Sequence, residues 1–258
     1  MELDLRNTVA LVTGAGGGLG EAVALHIAVQ GVAVAAVDQD IASAERTIAA
    51  VEQAGGRGLA LHADVSESRQ VEDAVTRAGE VLGPIDYLVN IAGFFQASPL
   101  QDITDEQWQH MLDVHIGGTF RFSRALVPRM IERGFGRIVN MASVQAFGAG
   151  FGYLAPSTHY ATAKAGIIGF TKSLAREVGP HGINVNAVAP TATETALWRN
   201  AAPEVDLDDR RRDRAKVIPL GRICQPADVA DAILYLLSPA SSYVTGHVIN
   251  LTGGELMF

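Results

Sequence analysis

Short apolar runs alternate with longer segments of helical period along the chain. The apolar runs predict buried strands at Val9–Thr13, Val32–Val37, Gly58–His62, Tyr87–Ile91, Arg137–Asn140, Asn184–Val188 and His247–Leu251. The segments between them predict helices near Leu19–Gln30, Ile41–Ala54, Arg69–Val81, Glu106–Arg133, Tyr160–Val178 and Ala227–Leu237. Strands that are apolar on both faces are typical of a parallel sheet covered by helices.

The order of these elements predicts an α/β fold. Strand and helix alternate along the chain, which favours a doubly wound, seven-stranded parallel sheet with helices on both faces, the Rossmann architecture. No repeat, low-complexity stretch or Pro/Ser-rich linker divides the sequence, so we expect a single domain over residues 1–258. In such a sheet, a ligand binds at the carboxyl ends of the strands.

Composition and charge narrow the possible functions. The 258-residue chain has 48% hydrophobic residues, which predicts a sizeable core, and a formal net charge of −8. The acidic balance argues against nucleic acid or an anionic membrane as the main partner. The amino terminus lacks the apolar core of a signal peptide, no apolar run is long enough to span a bilayer, and Cys224 is the only cysteine. We expect a soluble, cytoplasmic protein and identify no metal site.

A glycine cluster links the first predicted strand to the first predicted helix. Thr13 is followed directly by Gly14-Ala-Gly-Gly-Gly-Leu-Gly20 and then by a helical segment. Glycines let the backbone approach a ligand closely, and the amino end of a helix offers unpaired N–H groups to an anion. This arrangement predicts a cradle for the pyrophosphate of a dinucleotide, formed by Gly14, Gly16, Gly18, Leu19 and Gly20.

Asp38 closes the second predicted strand, 18 residues after the last glycine of the cluster. A carboxylate at about this distance accepts hydrogen bonds from ribose hydroxyls of a dinucleotide. It would repel a 2′-phosphate, and neither Gly17 nor Gln39 supplies a cation, so NAD is predicted over NADP. After the third strand, Asp64 and Val65 are positioned to meet the adenine ring. The alternative for Asp64 is a helix cap.

Tyr160 and Lys164 lie four residues apart on one face of a predicted helix. Free tyrosine has a pKa of about 10. The lysine cation and the positive nicotinamide of an oxidised cofactor would favour the phenolate and lower that pKa. The pair therefore predicts a tyrosine that exchanges a proton with an alcohol or a carbonyl.

Together these motifs resemble those of the short-chain dehydrogenase/reductase family. The resemblance covers essentially the whole chain, in the family's order and rough spacing. It is carried by Thr13–Gly20, Asn90–Gly93, Ser143, Tyr160 with Lys164, Pro190–Thr195, Pro219–Arg222, Pro226–Ala230, Thr245–Gly246 and Gly253–Gly254. It implies hydride transfer between a nicotinamide cofactor and a small-molecule alcohol or ketone.

The resemblance also implies roles for single residues. Ser143 looks like the hydroxyl that holds the substrate oxygen and Tyr160 like the general acid/base. Lys164 looks like the residue that binds the nicotinamide ribose and lowers the tyrosine pKa. Asn90, Ala92 and Gly93 match the segment that lines the ribose on the adenine side of the cofactor and stabilises the central sheet. Pro190, Thr193 and Thr195 match the segment that binds the carboxamide of the nicotinamide ring.

Three departures from the family pattern stand out. His115 occupies the place of an asparagine that, in the family, helps hold a water chain leading from the lysine. It could preserve a helix irregularity and its water, alter the relay and slow turnover, or be an ordinary helix residue. We keep it among the candidate catalytic residues, and its titration near a pKa of about 6.5 could then enter the rate. Thr191 stands where glycine is frequent, and the segment Phe147–Pro156 is longer than usual where substrate specificity is set.

Several loop residues are candidates for the substrate pocket, namely Gln96, Gln145, Tyr153 and Trp198. Phe94 and Phe95 follow the fourth strand and either line this pocket or pack in the core. The segment of about residues 193–218 contains a run of Arg and Asp. It predicts a solvated helix with mutual ion pairs, which is compatible with a movable flap over the crevice.

The leading hypothesis is an NAD-dependent oxidoreductase that interconverts a secondary alcohol and a ketone. Within this class, a 3-oxoacyl-thioester reductase is an alternative. Outside it, the alternative is a dinucleotide-binding sensor or scaffold without effective turnover, which only His115 favours. The resemblance further implies a homotetramer built on the long helices around Phe120 and Phe170.

Overall fold

The computed structural model describes residues 5–148, 156–200 and 206–257, and a seven-stranded parallel sheet forms its centre. The strands are β1 (Val9–Thr13), β2 (Ala33–Asp38), β3 (Gly58–His62), β4 (Tyr87–Asn90), β5 (Gly136–Met141), β6 (Ile183–Pro190) and β7 (Val248–Leu251). Their order in the sheet is β3-β2-β1-β4-β5-β6-β7. The order reverses between β1 and β4, which is where a doubly wound sheet opens a ligand crevice.

Helices cover both faces of this sheet. They are α1 (Gly18–Ala28), α2 (Ile41–Gln53), α3 (Ser68–Leu82), α4 (Asp105–Leu112), α5 (Gly118–Arg133), α6 (Thr158–Val178), α7 (Ala196–Asn200), α8 (Leu207–Val217) and α9 (Pro226–Leu237). On one face, Ile27 of α1 and Ile233 of α9 belong to a buried cluster with β1 and β2. On the other face, Val75 of α3 and Phe122 of α5 belong to a second cluster. The two clusters explain why the central strands are apolar throughout.

The predicted fold class is confirmed, and all seven predicted strands are present with ends shifted by no more than two residues. The largest difference concerns the helix predicted over Glu106–Arg133. A π-helical segment, Asp113–Gly117, separates α4 from α5. A single helical period cannot reveal such an insertion, because the apolar repeat continues on both sides of it.

The charged run after β6 forms a helix, as predicted. Asp206 caps α8 by accepting hydrogen bonds from the amides of Asp208 and Asp209. Exposed ion pairs between residues three apart follow along it, including Lys216–Asp213 at 2.7 Å. Arg214 departs from the predicted solvated helix, because its side chain is 7% exposed and pairs with an equally buried Glu255.

Within the described ranges, no helix is both long and apolar enough to cross a membrane. In the same ranges, no three His, Cys, Asp or Glu side chains come together in a group that could hold a metal ion.

Candidate active site

The glycine cluster forms a tight turn between β1 and α1. Gly14 has a φ of +67° and Gly18 a φ of +56°, backbone conformations that side chains rarely adopt. A Cβ on Gly20 would lie 2.0 Å from the carbonyl oxygen of Gly14, and a Cβ on Gly14 would lie 2.8 Å from the Cα of Ala92. The turn therefore requires glycine at these positions.

The amino end of α1 is open toward the crevice. Gly17 caps the helix without a side-chain hydrogen bond, and nothing lies within 4 Å of where its Cβ would be. The nearest atom to a Cβ on Gly18 would be in Thr195, at 3.7 Å. Unpaired helix N–H groups in an open, glycine-lined space match the chemistry of a pyrophosphate. The residues present therefore fit a dinucleotide.

Asp38 lies at the end of β2, next to this turn. Its Oδ2 accepts a hydrogen bond of 2.9 Å from the amide of Gly16, and its Oδ1 one of 3.0 Å from the amide of Asp40. Two backbone donors hold the carboxylate in one orientation. A Cβ on Gly16 would come within 2.8 Å of Oδ2, so the absence of a side chain there lets the turn close on Asp38.

Asp64 and Asn90 make local contacts. Oδ1 of Asp64 accepts hydrogen bonds from the amide of Ser66 at 2.8 Å and from its hydroxyl at 2.6 Å. These bonds form a turn before α3 and do not cap the helix, whose N-cap is Glu67. Asn90 donates through Nδ2 to Oδ1 of Asn140, which in turn donates to the hydroxyl of Thr171. Asn90 therefore ties β4 to β5 in the interior of the sheet.

Ser143 and Tyr160 meet beside the carboxyl end of β5. The Ser143 hydroxyl accepts a 3.3 Å hydrogen bond from the amide of Gln145, and it lies near enough to the Tyr160 phenol to act on the pKa of that group. Burial raises the pKa of Tyr160 to about 12, although the neighbouring Ser143 hydroxyl acts in the opposite direction. In the cofactor-free protein the phenol pKa is therefore raised rather than lowered, because loss of water outweighs the effect of the Ser143 hydroxyl. The lowered pKa expected with an oxidised cofactor bound stays a prediction.

Lys164 lies one helical turn beyond Tyr160 and is 3% exposed. Its ammonium donates a 2.7 Å hydrogen bond to the carbonyl of Met141 and lies 5.6 Å from the centre of the Tyr160 ring. Burial lowers the pKa of Lys164 to about 7. The helix therefore brings the two groups together as predicted, with the ammonium directed to the end of β5.

His115 lies in the π-helical segment and is 2% exposed. The helix irregularity expected at this position is thus present. Burial, followed by the charge of Lys164, lowers the pKa of His115 to about 3. The expectation that its titration enters the rate near neutrality is wrong, because the imidazole is uncharged throughout that range.

The loop after β6 brings Pro190, Thr193 and Thr195 toward the glycine turn. Pro190 ends β6, and the Thr193 hydroxyl donates a 3.0 Å hydrogen bond to the carbonyl of Thr191. The Thr191 hydroxyl donates to Glu255 at 2.6 Å and accepts from Arg214 at 3.1 Å.

Sequence reasoning missed Arg214 and Glu255. The charged run held no signal that set Arg214 apart from its neighbours, and Glu255 follows it by 41 residues. Threonine in place of the frequent glycine at position 191 supplies the hydroxyl that joins this ion pair.

The pocket candidates differ in their surroundings. Gln145 is buried and accepts a 2.7 Å hydrogen bond from the Ser157 hydroxyl, so it orders the start of α6. Trp198 lies under the Arg210 guanidinium, 4.3 Å from the ring centre. Gln96 is half-buried, and Tyr153 lies outside the described residues. The Phe95 ring lies 5.2 Å from that of Tyr160, edge to face.

Comparisons with known proteins agree with this geometry. Residues 14–255 match the family model described as Enoyl-(Acyl carrier protein) reductase. The short-chain reductase protein NovJ of Streptomyces niveus is 41% identical over 97% of this chain and 94% of its own. The (2S)-[(R)-hydroxy(phenyl)methyl]succinyl-CoA dehydrogenase subunit BbsD of Thauera aromatica is 36% identical over 99% of both.

A similar solved structure is a 3-oxoacyl-[acyl-carrier protein] reductase with bound NAD from Brucella melitensis. It superimposes with a TM-score of 0.87 at 34% identity and covers 99% of this chain and 94% of its own.

Proposed function

Because the chain belongs to the short-chain dehydrogenase/reductase family of oxidoreductases, we propose that it interconverts a secondary alcohol and a ketone with NAD. In this proposal Tyr160 is the general acid/base. The observation that carries it is the burial of the Tyr160 phenol beside Ser143, with the buried ammonium of Lys164 5.6 Å from the centre of the phenol ring. All three groups lie beside the carboxyl end of β5, near the crevice.

The three side chains divide the work on the substrate oxygen. Ser143 donates a hydrogen bond to it and fixes its position. Tyr160 gives a proton to a ketone oxygen, or takes one from an alcohol. In the cofactor-free protein the phenol is protonated, the form that reduction requires. Lys164, when charged, favours the phenolate that oxidation requires.

The cofactor supplies the hydride acceptor or donor when bound. We assign its pyrophosphate to the cradle of Gly14, Gly16, Gly18, Leu19 and Gly20, and the adenine side to Asp64, Val65, Asn90, Ala92 and Gly93. The nicotinamide side is assigned to Tyr160, Lys164, Pro190, Thr193 and Thr195. The open amino end of α1 and the proximity of Thr195 to Gly18 support this assignment.

The preference for NAD over NADP rests on Asp38. Its carboxylate is held by the amides of Gly16 and Asp40 at the end of β2, where it would accept from ribose hydroxyls. A 2′-phosphate in that place would meet a fixed negative charge, and the adjacent Gly17 and Gln39 are uncharged.

A second candidate is the reversible reaction at the 3-position of an acyl thioester. The names of two similar proteins favour it, since one is a 3-oxoacyl reductase and the other a dehydrogenase of a hydroxy(phenyl)methyl succinyl-CoA. The alternative of a non-catalytic dinucleotide sensor is disfavoured by the intact set of Ser143, Tyr160 and Lys164.

The test is a cofactor-reduction assay with 2-butanol, 1-phenylethanol and 3-hydroxybutyryl-CoA, each with NAD and with NADP. We expect NADH formation with at least one alcohol and slower reaction with NADP. Turnover of the thioester alone would select the second candidate. No turnover of any substrate, or of acetoacetyl-CoA with NADH, would contradict the proposal.

The same proposal extends to assembly and location. Residues 1–258 act as one dinucleotide-binding and catalytic domain, with residues of about 193–218 as the flap. We propose a cytoplasmic homotetramer built on α5 and α6, supported by the exposed Phe120 on α5. Light scattering on the purified protein tests the tetramer, and a monomer would contradict it.

A further inference from the structure

Two aromatic side chains pack edge-to-face against the ring of Tyr160. The His115 ring lies 5.3 Å from it, centre to centre, at an angle of 90°. The Phe95 ring lies 5.2 Å from it at 80°. Edge-to-face pairs at these distances are attractive and directional, so both contacts favour one orientation of the phenol ring.

His115 also holds the backbone of the loop that carries Phe95. Its Nε2 lies 2.8 Å from the carbonyl oxygen of Phe94 and 3.3 Å from the Phe94 nitrogen. The shorter contact places the proton on Nε2, which then donates to the carbonyl. A Cβ on Gly93 would lie 2.3 Å from Cε1 of His115, so glycine is needed for the imidazole to reach this loop.

The π-helical segment presents His115 to the loop and is itself braced. The Thr119 hydroxyl donates a 2.9 Å hydrogen bond to the carbonyl of His115. Arg121 donates to the carbonyl of Asp113 at 3.0 Å and to its carboxylate at 3.2 Å. These side chains add hydrogen bonds to two carbonyls of the segment, which helps to hold the imidazole in place.

The imidazole performs this role without charge. Burial lowers the pKa of His115 to about 3, so it is neutral at physiological pH. A neutral ring can pack against Tyr160 without adding a second positive charge beside Lys164.

We propose that His115 is a positioning residue that fixes the Tyr160 ring and the Phe94–Phe95 backbone relative to each other. Through Phe95 it sets the wall beside the group attached to the reacting carbon. The effect on turnover rests on the proposed function of Tyr160, but the ring geometry does not.

The test compares His115→Asn with His110→Asn. Asparagine removes the ring that contacts Tyr160, and its amide is too short to take the place of Nε2 at the Phe94 carbonyl. His110 is the matched control, because its exposed ring also stacks on Phe94, 5.1 Å away, and no ring contact joins it to Tyr160 within the described residues. The chain has five tyrosines, so labelling with 3-fluorotyrosine gives few fluorine resonances, and Tyr160→Phe identifies the signal of Tyr160.

We expect His115→Asn to shift and broaden the Tyr160 resonance while the other tyrosine signals, which report correct folding, stay in place. Displacement of a catalytic group by a fraction of an ångström should lower kcat about tenfold, with an unchanged Kd for NAD. The ratio of kcat/KM for 1-phenylethanol over 2-butanol should also change, because the Phe95 wall moves. His110→Asn should leave all three readouts unchanged.

The proposal is overturned if the Tyr160 resonance is the same in His115→Asn as in the wild type, or if His110→Asn changes it equally. Absence of turnover in the wild-type protein would contradict the proposed function alone, since the fluorine spectrum still decides the role of His115.

Discussion

At the glycine turn the chain offers backbone groups to a ligand, whereas around Tyr160 it offers buried side chains. At several glycines of the turn, an added side chain would collide with neighbouring atoms. The open end of α1 and the Asp38 carboxylate, which two amides hold, lie beside them. Around Tyr160 the pKa values of a phenol, an ammonium and an imidazole are all displaced by burial. The difference supports the proposal that the glycine turn binds the cofactor and that the groups around Tyr160 transfer a proton.

A large effect on both ends should come from Lys164→Met, because the ammonium is proposed to serve both the phenol and the cofactor. Loss of the ammonium removes the charge that favours the phenolate, so we expect kcat for alcohol oxidation to fall about 100-fold. The Kd for NAD should rise as well, because the proposed ribose contact is lost. Lys172→Met, an exposed lysine on the same helix, is the control. Equal kinetics of the two variants would contradict the assignment.

At the other end, Gly20→Ala should act on binding. The new methyl group would lie 2.0 Å from the Gly14 carbonyl and force the turn open. Overpacking costs of about 1–3 kcal/mol correspond to a Kd for NAD raised roughly 10- to 100-fold, as calorimetry would measure. Gly17→Ala points into open space with an extended backbone and should change the Kd little. Equal weakening of NAD binding by both variants would show that the shape of the turn does not determine the affinity for NAD.

The buried ammonium also predicts a pH dependence of stability. The folded pKa of Lys164, about 7, lies below its usual 10.5, so between these values the unfolded chain binds a proton that the folded protein does not. The free energy of unfolding should therefore rise with pH in this window, by at most about 1.4 kcal/mol per unit relative to Lys164→Met. Urea unfolding between about pH 7.5 and 9.5 measures it. Parallel stability profiles for the two proteins would show that the pKa of Lys164 is not lowered in the folded state.

A smaller effect is expected for Asp38→Ser. Loss of the group that accepts from the ribose should weaken NAD binding about tenfold, the effect of one charged hydrogen bond. Relief of the repulsion should strengthen NADP binding. Glu45→Gln on α2 removes the same charge from an exposed position and serves as the control. The ratio of kcat/KM for the two cofactors is the measurement. A wild-type protein that prefers NADP would contradict the role given to Asp38.

The same contrast explains what could be predicted from the sequence. The glycine turn is a local motif, so the sequence predicts the turn and the strand and helix around it. Tyr160 and Lys164 were paired by helical spacing, but the direction of the lysine depends on Met141, which precedes it by 23 residues. The raised phenol pKa could not be derived, because desolvation depends on chain segments that only the fold brings together.

Two further differences have the same origin. The π-helical segment at His115 depends on Arg121 and Thr119, whose roles no apolar repeat encodes. Arg214 lies in a charged run typical of a solvent-exposed helix, and its buried partner Glu255 is distant in sequence. Local patterns therefore determined the elements, whereas long-range contacts determined the electrostatics of the site.

The most direct test of the account is Tyr160→Phe, with the Kd for NAD and kcat measured on the same preparation. Only the hydroxyl is lost, so we expect the Kd to stay within about twofold and kcat to fall roughly 1,000-fold, the range for loss of a general acid/base. Tyr235→Phe, on α9 and exposed, should leave both unchanged. A Tyr160→Phe variant that retains turnover within a few-fold of the wild type would show that proton transfer does not depend on this phenol.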